Sequence, residues 1–137
     1  MPASRPFGYW RDPICLVAAA TYACNRLWWK PLWGTTHPFI AGHLNDLLYI
    51  PVVLPLFLWL LRALRLRAHD RQPTIAEITI LTVWWGLLAE VVGPKLLHHG
   101  TADTWDLVAY AIGAALAFVA WRLRDTAVAP ADRPQPA

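Results

Sequence analysis

Four apolar runs, each close to the length that crosses a bilayer as a helix, leave this chain few ways to fold. They are Ile14 to Trp29 (ICLVAAATYACNRLWW), Leu44 to Leu61 (LNDLLYIPVVLPLFLWLL), Ile75 to Val92, and Thr104 to Trp121. A spanning helix needs about 20 residues, with roughly 17–25 usual. Runs at the short end of that range predict little tilt and interfacial anchoring by Trp and Arg. Composition points the same way: 57% of residues are hydrophobic, 15% are charged, and nine are tryptophans. A soluble domain averages about 45–50% apolar and about 25% charged, and indole rings gather at membrane interfaces. The fold class that follows is all-α, a polytopic bundle of four transmembrane helices embedded in a lipid bilayer.

Local signals set the boundaries. Asp12-Pro13 is an N-cap followed by proline at the first helical position. Thr74 and Glu77 have capping-box spacing, and Gly93-Pro94 forms a helix stop. Helices are expected over about residues 13–29, 44–62, 74–92 and 103–122. Residues 1–12 form an N-terminal segment, 13–125 the membrane domain, and 126–137 a Pro- and Ala-rich tail expected to be disordered. Pro51 and Pro55 fall inside the second run and predict a kink. They also strip hydrogen-bond donors from the carbonyls of Leu47 and Pro51, which should then turn to the bundle interior. Cleavage of the first run as a signal peptide is disfavoured by Tyr22 and by the Asn25-Arg26-Leu27-Trp28-Trp29 continuation.

Basic residues set the orientation. With four spans, Arg5, Arg11, Arg62, Arg65, Arg67, Arg71, Arg122, Arg124 and Arg133 share one side, and only Arg26, Lys30 and Lys95 the other. The positive-inside rule places both termini in the cytoplasm. The net charge of +3 lies in short clusters beside apolar runs. That is a topology signal, not a nucleic-acid patch, so no nucleic-acid partner is expected. Cys15 and Cys24 lie within the first apolar run, where thiols serve as small packing groups.

Four spans also bring the acids together. Asn25 and Arg26 end helix one, Asn45 and Asp46 begin helix two, Glu90 ends helix three, and Asp103 and Asp106 begin helix four. All fall at the non-cytoplasmic end, with His37, His43, Lys95, His98 and His99 in the loops between them. Ionisable groups at membrane depth usually face the bundle interior or a cavity. Capping is the plain alternative. Asp103 fits an N-cap and Asp106 the N3 position, and Asp46 fits the first turn of helix two. Glu90 stands where the helix dipole disfavours an acid. Asp106, Tyr110 and Gly113 share one helix face. Asp106 is expected to point toward Glu90 or toward Asn25 and Arg26. His43, His98 and His99 are weak metal-ligand candidates, because no H-E-x-x-H or C-x-x-C accompanies them.

The elements HLNDLLYIPVVLPLFL, PTIAEI, AEVVGP and TADTWDLVAYAIGA resemble a group of small bacterial four-helix integral membrane proteins sometimes labelled magnesium–citrate secondary transporters. The resemblance runs from about His37 to Trp121 and picks out Asp46, Pro51, Glu90, Pro94, Asp103, Asp106, Tyr110 and Gly113. More distantly, the layout is similar to the VanZ-like family, whose bundles carry an acid late in one helix and an aspartate early in the next. The resemblance implies the bacterial inner membrane.

Three function classes fit these residues. In the first, the polar cluster serves only capping and helix registration in a structural or assembly protein, with a homo-oligomer or another membrane protein as partner. In the second, Asp46, Glu90 and Asp106 hold a proton or divalent cation for binding or transport. In the third, an envelope enzyme acts on a lipid-linked substrate, with Glu90 or Asp106 as base and a histidine as acid.

Overall fold

The computed structural model describes residues 6–92 and 104–128; at Glu90, Val91, Ala127 and Val128 it describes the backbone alone. Every regular element among the described residues is helical. Helix α1 (Pro13–Cys24) starts where the sequence signals it: the Asp12 carboxylate accepts from the backbone N–H groups of Ile14 (3.0 Å) and Cys15 (3.4 Å). The chain does not stop at Trp29. It winds through a π-helical turn (Asn25–Trp29) into α2 (Lys30–Trp33), so helical structure continues one turn beyond the expected boundary. Pro31, the second residue of α2, gives no N–H to the π turn that precedes it.

The short α3 (Pro38–Gly42) leads through His43 into α4 (Leu44–Ala63), which runs unbroken past Pro51 and Pro55. Helix α4 ends in a Schellman motif. Arg65 adopts a left-handed φ of 59°, its N–H bonds to the Arg62 carbonyl, and the Leu66 N–H bonds to the Leu61 carbonyl. The Thr74–Glu77 capping box is formed on both sides and opens α5 (Ile75–Leu87). A second π turn (Leu88–Val92) follows. Helix α6 (Thr104–Val128) continues past residue 122, so the expected tail boundary at 126 falls inside it.

Two segments are long and apolar enough to cross a membrane: Pro38–Ala63, with mean hydropathy 1.9, and Thr104–Thr126, with mean hydropathy 1.5. Helix α5 is apolar but shorter. Helix α4 lies at the centre and packs against α1, α5 and α6. Ile50, Leu54, Leu58, Ile78, Leu81, Tyr110, Ala114, Ala117 and Trp121 fill the space between them.

Outside that core the usual polarity is reversed. Leu16, Val17, Ile80, Val83, Trp84, Leu116, Val119 and Leu123 are each at least half exposed, while Asp12, Asn25 and Arg67 are buried. The end of α1 meets the start of α4, where Asn25 bonds to Asn45. At the opposite end Asp12, just before α1, meets Trp121 and Arg124 of α6.

Candidate cation site

At the end where α4 and α6 begin, His43, Asp46 and Asp106 converge. One ligand atom from each lies within 4.8 Å of the others, and all three residues are partly buried. The local sequence explains the convergence. His43 immediately precedes α4, Asp46 lies in its first turn, and Asp106 lies in the first turn of α6. An acid in a first turn is favoured by the helix dipole, so two helices starting side by side bring two carboxylates together.

His43 Nδ1 stands 3.4 Å from Asp106 Oδ1. The nitrogen is closed off from solvent and has no hydrogen-bond partner. On Asp46, Oδ1 accepts from the Tyr110 hydroxyl at 3.3 Å. Tyr110 is 5% exposed, so its ring is fixed between α4 and α6. Below it, the Tyr49 ring lies 6.2 Å away and stacks on Trp85 at 4.3 Å. The site therefore has a polar rim on an aromatic floor.

Several expected members sit elsewhere. Arg26 is exposed and forms no ion pair among the described residues. Of the partners expected for Asp106, Arg26 is exposed, Asn25 gives its amide to Ile40 and Asn45, and the Glu90 side chain lies outside the described residues; the ion pair Asp106 forms is with His43. Asn45 faces α1 instead of the carboxylates. Its Oδ1 accepts from the Asn25 amide at 2.9 Å, and that amide also reaches the Ile40 carbonyl at 3.1 Å. Asn25 is fully buried, so this pair fixes α1 and α3 against α4. Asp103, His98 and His99 lie outside the described residues, as does the side chain of Glu90.

A second polar network, at the opposite end, escaped the sequence reading. Asp12, 1% exposed, accepts from Trp121 Nε1 (3.0 Å) and Arg124 Nη2 (2.7 Å) in addition to capping α1. Arg67, 3% exposed, gives Nε to Glu77 (2.6 Å), Nη1 to the Tyr9 hydroxyl (2.9 Å) and Nη2 to the Arg71 carbonyl (2.7 Å). Tyr9 in turn donates to Asp70 at 2.7 Å. Burial and the bond to Asp70 push the Tyr9 phenol above its ordinary value, although Arg67 opposes them. The only early sign of this network was Asp12 as a cap and Glu77 in a capping box.

The two ends differ in kind. In the Asp12 and Arg67 network, acids are matched by guanidinium groups. At His43, Asp46 and Asp106, two carboxylates share one imidazole, and no lysine or arginine forms an ion pair with them among the described residues. Such an arrangement can hold a proton or a cation. Comparison with protein-family models, curated proteins and solved structures gives no match to this chain.

Proposed function

We propose that this chain is a small multi-pass protein of a bacterial inner membrane, with both termini cytoplasmic, that binds a divalent cation or a proton at its outer end. The observation that carries the reading is the convergence of His43, Asp46 and Asp106 without a basic side chain paired to either acid. Two carboxylates that close favour sharing a proton or a cation over standing ionised together.

Membrane placement is supported by the two long apolar helices and by the outward-facing leucine, valine and tryptophan side chains. Exposed tryptophans at both ends add to it: Trp28, Trp33 and Trp105 near the acids, Trp10 and Trp59 near the arginines. Four helices give a narrow path for an ion, so transport by this chain would run through a homo-oligomer.

A structural or assembly role is the second reading. The Asn25–Asn45 pair favours it, since those bonds fix helices and leave the carboxylates out.

Both parts can be tested. A compartment-specific reporter fused after Ala137 should be active in the cytoplasm, and one inserted within residues 34–37 should report the outside. Purified full-length protein in detergent should melt higher with divalent cations present, and the Asp46→Asn/Asp106→Asn double variant should lose that response. A cation response that survives in the double variant would place binding elsewhere; no response and no pH dependence in either protein would leave the structural reading.

A further inference from the structure

Resting on the reading of His43, Asp46 and Asp106 as a cation site, we infer that it takes a borderline transition-metal ion of the zinc and cobalt(II) class in preference to magnesium or calcium. His43 supplies a nitrogen ligand through Nδ1, and Tyr110 is a positioning residue for Asp46.

The ligand set is the first argument. Magnesium and calcium are hard ions that surround themselves with oxygen, about six ligands for magnesium and about six to eight for calcium. Here the residues offer two carboxylates and an imidazole. Imidazole suits zinc, copper, iron and nickel, and three protein ligands with an open position match the zinc sites that keep a water or substrate.

The state of His43 is the second. Its Nδ1 is shut off from water and takes no hydrogen bond, although Asp106 Oδ1 stands 3.4 Å away. A buried nitrogen left unpartnered is unfavourable, and a metal ion between these atoms would satisfy both at once. Tetrahedral zinc with bonds of about 2.0–2.2 Å sets its ligand atoms about 3.3–3.6 Å apart. His43 Nδ1 and Asp106 Oδ1 already stand 3.4 Å apart, and closing the 4.8 Å spread of the three atoms to that separation takes a shift of about 1 Å. His43 and Asp106 side chains are 38% and 26% exposed, which leaves them room to move by that amount.

Charge and outer contacts are the third. Two carboxylates with a neutral imidazole sum to a charge that a divalent ion cancels. The Tyr110 hydroxyl engages Asp46 Oδ1 and leaves Oδ2 for the metal. Outer partners of this kind orient a ligating carboxylate, and losing one typically weakens metal binding about 10–100-fold.

The test uses the full-length protein in detergent, loaded with cobalt(II) and followed by its visible ligand-field absorption. We expect a spectrum with nitrogen among the ligands. Zinc should displace cobalt at equal concentration, and magnesium and calcium should not. His43→Gln and Tyr110→Phe should each weaken cobalt and zinc binding by about tenfold or more, with helical circular dichroism unchanged. If His43→Gln does not fold, the wild-type cobalt spectrum and the competition series decide. Displacement of cobalt by magnesium or calcium, or an all-oxygen spectrum, would overturn the metal class and leave a cation site standing. Cobalt and zinc binding undiminished in the Asp46→Asn/Asp106→Asn variant would put the metal on other histidines and overturn the inference, and absence of any divalent binding would remove the cation reading with it.

Discussion

The carbonyl oxygen of Leu47 occupies the space that a side chain at residue 113 would need. Two sequence features produce this fit. Pro51 has no N–H, so the Leu47 carbonyl lacks its helical partner; Gly113 has no Cβ, so α6 can approach it. A carbonyl freed inside an apolar layer needs a partner, and the Cα–H of Gly113 lies against it, where it can make a weak C–H···O contact. Gly113→Ala forces the two central helices apart or shifts α4. Overpacking of this kind costs about 1–3 kcal/mol, and contact with rigid backbone places it at the upper end. Unfolding in detergent followed by tryptophan fluorescence should show a lower midpoint, and an unchanged midpoint would mean that the two helices are not held at this distance.

Asp12 fixes the other end of the bundle through four partners: two backbone N–H groups of α1, the Trp121 indole and the Arg124 guanidinium. Removing one member of a buried ion pair costs about 3–5 kcal/mol. Arg124 is 24% exposed and can recover some hydration, so Asp12→Ala should fall near the lower figure. Asp12→Asn keeps an acceptor for the cap and should cost less. Thermal unfolding of the two variants separates the cap from the ion pair. Equal melting points of the two variants would show that the neutral cap acceptor contributes nothing, and an Asp12→Asn variant that melts with the parent would show that charge at residue 12 contributes nothing.

Arg65 holds a left-handed φ of 59° at the Schellman position where glycine is usual. A side chain there costs roughly 1–2 kcal/mol. Arg65 is exposed and forms no ion pair among the described residues. Arg65→Gly should therefore stabilise the protein, by about 1 kcal/mol or somewhat less once the added freedom of the unfolded chain is counted. Arg65→Ala keeps the strained Cβ and should bring no gain. If both variants gain equally, relief of charge and not of backbone strain is the cause.

Helix starts were legible because caps are local. Asp12-Pro13 and Thr74 with Glu77 announce themselves within four residues, and α1 and α5 begin where they say. The freed Leu47 carbonyl was legible for the same reason, since proline's missing donor acts exactly four residues back. Helix ends were less so. The π turn at Asn25–Trp29 has no marker in the residue pattern, and Arg26 within it is exposed. Asp46 and Asp106 could be assigned to one end from topology, but their shared partner His43 depends on how two helix starts sit side by side. Long-range pairs were the least legible. Arg67 reads as one of a run of arginines that set topology, yet it is the buried hub joining Glu77, Tyr9 and the Arg71 carbonyl, across 10 residues in one direction and 58 in the other.

That hub carries a pH dependence. Tyr9 accepts from Arg67 and donates to Asp70, so its neutral phenol bridges a cation and an anion. Burial raises its pKa, as does the Asp70 carboxylate that the phenolate would face. The unfolded chain then releases the phenol proton first, near the ordinary tyrosine value of about 10. Where the folded state binds more protons than the unfolded state, stability falls with rising pH. The contribution of Tyr9 is thus fully present below pH of about 10 and declines as pH climbs through the raised folded value. Tyr9→Phe lacks both the hydroxyl and this titration. At neutral pH it should be less stable than the parent by about 1–3 kcal/mol, because Arg67 loses a partner while buried. The gap should narrow above pH of about 10, measured by chemical unfolding in detergent at several pH values. Other tyrosines titrate in both proteins and cancel in the difference. A gap that stays constant across that range would show that the Tyr9 hydroxyl keeps no proton in the folded state that the unfolded chain gives up.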